Sequence, residues 1–355
     1  MSSVRQKTGK IYGLDGLRTL AVFGVLLFHM FPRAVKGGYF GVILFFVISG
    51  FLTAYTDVRK GGEPVFTYYR KRLFRIYPAL IIMLFITVEV IALTDKFKLL
   101  NVQEEVRSVL LAYNNYWQIS KSADYFANLS ANSAFTHLWY TSILIQFELL
   151  WPLLYRLFRL AGKNRVPFGI LVLLSMLVMP AASFMKDISQ SQLYYGTLSR
   201  IHALLIGAWL GWQRALSARA QTRSVKTLPM LVTALLFTAG SILIFRSAGG
   251  ENPSVYHYGI VLYAVVSGAV VWLLSRADEK TGAVLDNPVC HFFSTYSYEI
   301  YLWQYPVLFT AGLLGRQEQY GLQIGILLLL SIWSHELVTS VQRWYGRRKA
   351  KKRKQ

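Results

Sequence analysis

Residues 15–31, DGLRTLAVFGVLLFHMF, form an apolar run with two titratable side chains set inside it, Arg18 and His29. Such a run reads as a membrane span, and charge within a span is costly: about 3 kcal/mol for Arg at a helix centre, less toward the ends. Eleven residues make close to three whole helical turns, so Arg18 and His29 share one face. At about 1.5 Å of rise per residue they stand roughly 16 Å apart along it. Either each side chain snorkels to its nearer membrane surface, or the two line a functional stripe, the default reading of intramembrane charge.

Outward from this run the chain stays apolar. Of 355 residues, 54% are hydrophobic and 15% charged, and the mean hydropathy is +0.38. A soluble domain carries nearer about 25% charge. Ten stretches approach the roughly 20 apolar residues that cross a bilayer: 16–31, 39–57, 77–94, 137–155, 166–184, 194–212, 227–245, 258–275, 292–314 and 321–341. Of the 38 Lys and Arg residues, 27 fall on the side that holds both ends of the chain and 9 on the other; that bias puts both ends inside. The expected fold is an all-α polytopic membrane protein, a bundle of about ten transmembrane helices with both termini cytoplasmic. The net charge of +21 then reports cytoplasmic loops and contact with anionic lipid, and no nucleic acid is expected. The single cysteine, Cys290, excludes an intrachain disulfide framework and a cysteine-based metal site. No HExxH, GxSxG or phosphate-binding glycine loop occurs, so no metal is expected. Basic residues before the first run resemble a signal peptide, but His29–Arg33 offers no small-residue cleavage site, and the run is expected to be retained.

Two connections stand out. The inner one, Val58–Pro78, ends in TYYRKRLFRIYP, where Arg72 and Arg75 share a helix face. It is either an interfacial amphipathic helix on lipid phosphates or a clamp for an anionic cofactor arriving from the cytoplasm. The outer one, about 95–136, is long and rich in Tyr, Asn and Trp, which suit sugar faces and hydroxyls; Trp and Tyr also belong at membrane interfaces for their own sake. The C-terminal charge run RWYGRRKAKKRKQ reads as solvated and lipid-facing.

Five segments in order resemble the membrane-bound acyltransferase 3 superfamily: YGLDGLRTLAVFGVLLFHM, with its Arg, ten residues, then His; GGYFGVILFFVISGFLTAY; FTYYRKRLFRIYPAL; THLWYTSILIQFELLWP; and STYSYEIYLWQYPV. The likeness covers nearly the whole chain. LIQFELLWP and the last segment look most like the Gram-positive branch that O-acetylates peptidoglycan and related wall glycans. The resemblance makes residues 1–341 an acyltransferase transmembrane domain and residues 342–355 a basic cytoplasmic tail. Two positions depart from it. Leu144 and Ile145 stand where many members carry an acidic pair, leaving Glu148 as the span's one carboxylate. Gln304 stands where many have His.

The resemblance implies acetyl-CoA as the cytoplasmic donor and a cell-wall glycan hydroxyl outside as acceptor, in a bacterial cytoplasmic membrane. In that scheme Arg18, Arg72 and Arg75 hold the donor's phosphates, and Asp15 orients Arg18. His29 is the general base or takes the acyl group itself. Tyr298 and Tyr301 are candidate acyl-accepting or transition-state hydroxyls, although Tyr pairs at helical spacing also pack. Glu148 takes over part of a proton relay. His137, Trp139, Gln146 and Gln304 contact the acceptor. Arg200 and His202 complete a polar cavity, His335 and Glu336 form an internal polar pair, and His257 and His291 read as ordinary loop residues. Relatives often continue into an extracellular SGNH-type domain; none is seen here, so a separate transferase of that type finishes the reaction or this chain is a piece of a longer one. The competing reading is a transporter or flippase of an acylated lipid or glycan precursor, which also needs buried charge at mid-membrane.

Overall fold

A computed structural model describes residues 11–95, 102–121, 133–162, 165–217 and 226–352; the basic N-terminal tail lies outside the described residues. Those residues are helical, without a strand. The helices are α1 (Leu14–Met30), α2 (Phe40–Lys60), α3 (Val65–Thr94), α4 (Val102–Leu110), α5 (Asn114–Ser120), α6 (Trp139–Leu160), α7 (Val166–Ser183), α8 (Gln190–Tyr195), α9 (Thr197–Ser217), α10 (Thr227–Ser247), α11 (Ile260–Leu274), α12 (Glu279–Leu285), α13 (Pro288–Thr295), α14 (Ser297–Leu313) and α15 (Tyr320–Lys352). A 3₁₀ turn, Thr136–Leu138, leads into α6, and a π turn, Val255–Gly259, leads into α11.

Each of the ten apolar stretches contains one long helix of this set. Six are long and apolar enough to cross a membrane: α2, α3, α7, α10, α15, and α11 with its leading turn. The chain is a multi-pass membrane protein. The four that fall short are α1 and α14, of 17 residues each, and α6 and α9, which carry Glu148 and Arg200 with His202. Each of these four helices carries buried polar groups, among them His29, Glu148, Arg200, His202 and Gln304. α2 stands in the middle, with 83% of its apolar window buried, whereas α7, α10 and α15 bury 22% of theirs. Its tightest neighbour is α9. A methyl at Gly50 would collide with the Leu204 carbonyl, one at Gly207 with that of Val47, and one at Gly211 with that of Phe51. Lipid is as apolar as Leu, so spans gain contact by bringing backbones together over small residues.

Three sequence expectations change. The inner connection is a short turn: α2 runs to Lys60 and α3 begins at Val65, so TYYRKRLFRIYP is the first part of a 30-residue helix. Pro78 sits inside that helix without ending it. The stretch 292–314 is two helices, broken at Tyr296. The outer connection contains α4 and α5, with 96–101 and 122–132 outside the described residues. At the other end of the chain, α15 passes residue 341 without a break.

The start of α1 is held from outside the helix. Asp286 accepts from the Gly13 and Asp15 amides at 2.8 and 2.9 Å, supplying partners that a helix N-terminus cannot find within itself. Asp278 caps α12 through the Thr281 amide, and Asn287 caps α13 through that of Cys290. This short capped pair braces the position of Arg18.

Candidate active site

Arg18, one turn into α1, faces a polar cavity of about 290 Å³. α2 supplies Ser49 and Thr53, α3 Arg75, α6 Tyr140, α14 Tyr298, Glu299 and Tyr301, and α15 His335. Asp15, which the i−3 spacing places beside Arg18, acts on it through charge without an ion pair at hydrogen-bond distance. Its carboxylate accepts from Ser294 Oγ (2.7 Å) and His291 Nδ1 (2.9 Å), so His291 is no ordinary loop residue. Among the described residues no carboxylate lies within ion-pair distance of Arg18. Asp15 and Asp286 act on the guanidinium from beyond ion-pair distance, and a half-buried guanidinium on a cavity wall offers charge-assisted hydrogen bonds to an anion.

Beside this cavity Glu148, 2% exposed, gathers four donors. Thr53 Oγ1 donates to Oε1 at 3.0 Å, and the Tyr68 hydroxyl donates to Oε2. Arg72 Nε lies 3.2 Å from Oε2 and Arg75 Nη2 3.4 Å from Oε1. Both oxygens are occupied, and Glu148 bridges the arginine pair of α3 to Thr53 of α2. Arg72 and Arg75 both reach Glu148 from α3; the Arg72 side chain is 15% exposed and that of Arg75 59%. A second pocket of about 310 Å³ adjoins, sharing Leu52 and Arg75 with the first and adding Asp57, Lys60, Glu63, Lys71 and Arg72. Burial works to raise the Glu63 carboxyl pKa, but hydrogen bonds and charge from Lys71 and Lys60 outweigh it and hold it below the ordinary carboxylate value.

At the far end of α1 lies a packed knot of rings. Tyr305 stands between the two histidines: its ring is 5.0 Å from that of His29 and 5.2 Å from that of His137. Gln304 is fully buried beside these rings, and its amide Nε2 donates to the Tyr301 carbonyl at 3.3 Å. His137 Nε2 lies 3.1 Å from the Leu302 carbonyl. A carbonyl only accepts, so Nε2 carries the proton and Nδ1 keeps its lone pair, buried with no hydrogen-bond partner among the described residues. The Tyr301 hydroxyl donates to the His137 carbonyl, and Tyr301 also lines the polar cavity. It therefore joins cavity and knot. Tyr298 lines the same cavity and donates to the Ile76 carbonyl at 2.9 Å. His29 and His137 are 6% and 1% exposed and do not line the cavity. Arg18 and His29 thus share a face of α1 but open onto different surroundings.

Two of the expected acceptor contacts are engaged within the protein. Gln146 donates to the Ala112 carbonyl (2.7 Å) and Asn115 Oδ1 (2.9 Å), and accepts from Thr197 Oγ1 (2.6 Å), tying α5 and α9 to α6. Trp139, 2% exposed, packs on Phe46, Tyr194 and Tyr195 and lies under the Arg200 guanidinium. Arg200 also covers Tyr194 and donates to its carbonyl at 2.7 Å, so it belongs to a packed aromatic cluster; neither it nor His202 lines the polar cavity. His335 pairs with Glu299 at 3.1 Å instead of Glu336. His257 accepts no loop role either: its Nδ1 meets Ser183 Oγ at 2.7 Å and its ring stacks on Phe184. Sequence reading passed over Ser49, Thr53 and Asp57. Their spacing of four along an apolar helix is the signal that marks one inward polar stripe. It also passed over Tyr305, four residues beyond Tyr301.

The family described as Acyltransferase domain matches residues 11–334, and the chain belongs to this acyltransferase family, as its motifs suggested. Among curated relatives it is similar to "Putative peptidoglycan O-acetyltransferase YrhL" of Bacillus subtilis, 29% identical over 84% of this chain and 48% of the relative. It is similar also to "Putative O-acetyltransferase SACOL0978" of Staphylococcus aureus strain COL, 28% identical over 85% of this chain and 51% of the relative. "O-acetyltransferase OatA" of S. aureus strain NCTC 8325 is 28% identical over 83% and 50% respectively. The chain spans about half the length of these relatives. No solved structure gives a significant match.

Proposed function

We propose that this member of the acyltransferase 3 family is an O-acetyltransferase, taking the acetyl group of acetyl-CoA at the face where α1 begins and delivering it to a cell-wall glycan hydroxyl at the opposite face. In this reading the chain crosses a bacterial cytoplasmic membrane ten times with both termini cytoplasmic, as the Lys and Arg bias supports. Arg18 carries the proposal: a guanidinium inside the bundle, on a cavity wall, without a carboxylate at ion-pair distance among the described residues. The donor's diphosphate meets Arg72 and Arg75 at the cavity's edge, and its thin arm runs past Arg18 toward Tyr301. The thioester carbonyl then stands beside the histidine knot.

The chemistry balances with one base. His29 accepts the proton of the attacking hydroxyl, and the oxygen adds to the thioester carbon. The C–S bond breaks as the C–O ester forms, and the thiolate takes the proton back from the imidazolium. The Nδ1 lone pair of His137, held in place by the Leu302 hydrogen bond, can bind the acceptor hydroxyl. Peptidoglycan is the favoured acceptor because the name of the B. subtilis relative carries it; delivery is direct or through a partner transferase of the SGNH type. The test is acetyl-labelled acetyl-CoA added to inside-out membranes with and without the protein. Base-labile label on purified peptidoglycan or its lipid-linked precursor is expected, and its absence from every wall polymer overturns the assignment.

A further inference from the structure

The pocket beside the arginine pair holds a second cation pair built on the same plan. Lys60 Nζ lies 3.2 Å and Lys71 Nζ 2.5 Å from Glu63 Oε1. Two cations share one carboxylate, as Arg72 and Arg75 share Glu148; with Asp57 on the same lining, the four cations face three carboxylates and the pocket keeps one positive charge in excess. The two carboxylates are anchored differently. Glu148 is fixed in the middle of α6. Glu63 follows Gly61 and Gly62, whose φ angles of +79° and +88° suit glycine, in the short turn between α2 and α3. Gly61 faces open space where a side chain would begin, whereas Gly62 lies against Tyr155 and the Gly61 carbonyl accepts from Arg159 at 3.1 Å, so the turn is held to α6. The lysines are half exposed, at 51% and 52%, while the Glu63 side chain is 15% exposed. Glu63 therefore sits beneath ammonium groups that still face solvent.

We propose that Lys60 and Lys71 form a subsite for a phosphate monoester, the one that the donor carries on its nucleotide, with Glu63 as a placeholder that the phosphate displaces. The inference rests on the acetyl-CoA reading and deepens it, because it makes the ribose phosphate a determinant of donor choice. A phosphate monoester brings close to two negative charges and three acceptor oxygens, where the carboxylate brings one charge and two oxygens. It satisfies both ammonium groups and removes the excess charge. The spacing is coherent, since Arg75 and Leu52 line both the lysine pocket and the polar cavity. Nucleotide and thioester ends then lie along one path, with the diphosphate at the arginines between them.

The experiment compares kcat/KM for acetyl-CoA and acetyl-3′-dephospho-CoA with the full chain in phosphatidylcholine vesicles. The wild type is expected to prefer the phosphorylated donor about tenfold or more, through KM. Lys60→Gln and Lys71→Gln should each reduce that ratio, the double variant should bring it near one, and Lys71→Arg should keep most of it. Glu63→Gln should raise it. Repeating the series in phosphatidylglycerol vesicles separates a lipid phosphate from the coenzyme's. A ratio that is near one in the wild type, or unmoved by the lysine variants, overturns the subsite; so does an effect of those variants that depends on lipid headgroup alone. Absence of acetyl transfer from either donor overturns the acetyl-CoA reading and the subsite with it, whereas transfer at a ratio near one overturns the subsite alone.

Discussion

The two ends of α1 solve opposite problems with the same helix. Around Arg18 the bundle leaves open volume of about 290 Å³ and supplies cations whose carboxylate partners are fewer than they are. Around His29 the rings close in: Tyr305 packs against it edge-on, and His137 stacks on Tyr305. An anion needs room and counter-charge, whereas a base needs a dry, rigid setting in which its lone pair is held in one direction. In the proposed reaction, that difference separates binding from chemistry along one helix, with Tyr301 as the side chain common to both regions.

The sharpest way to break this comparison is at the knot. His29→Ala should lower kcat about 10²–10⁴-fold, the usual worth of a general base, while leaving KM for acetyl-CoA and the amount of protein in the membrane close to wild type. A proportional rise in KM instead would merge the two regions into one. Next in size is Arg18→Ala. Loss of a charge-assisted hydrogen bond is worth about 1.5–3 kcal/mol, so KM for the donor should rise about 10- to 100-fold with kcat less affected; steady-state kinetics on the same membranes separates the two. Gln146→Ala sharpens the boundary of the site. It should cost about 1–2 kcal/mol of stability, the price of buried amide partners left unmade, seen as a lower unfolding temperature in detergent, with kcat per folded molecule kept. A kcat loss without destabilisation would return Gln146 to the acceptor site.

The smallest effect is a pH dependence at the mouth. Glu63 has its folded pKa held below the unfolded value by Lys71 and Lys60. Its contribution to stability is therefore fully present above the unfolded pKa and is lost as pH falls through the folded one. The difference in unfolding temperature between wild type and Glu63→Gln should be constant near neutral pH and shrink below about pH 4.5. A difference that grows on acidification would contradict the ion-pair geometry.

Much of the fold was open to inspection in one dimension. Apolar runs marked every long helix because crossing a bilayer demands a length and a composition that local sequence displays. Helical period alone put Arg72 beside Arg75 on α3 and Arg18 in line with His29. Neither property depends on what a helix packs against, and so the helical architecture, the family and the arginine pair of α3 followed from the sequence by itself. Partner choice did not. Asp15 lies one turn from Arg18, yet its carboxylate goes to Ser294 and His291, more than 270 residues away. Glu148 reads as a lone acid within α6 and becomes the anchor of two arginines on α3. Gln146 and Trp139 read as acceptor contacts and turn into packing, while Tyr305 and Lys60 with Lys71 pass unnoticed. Those outcomes were decided by tertiary structure, because hydrogen bonds and ion pairs act over about 3 Å and only the packing of α1, α3, α6 and α14 sets which distant groups come that close.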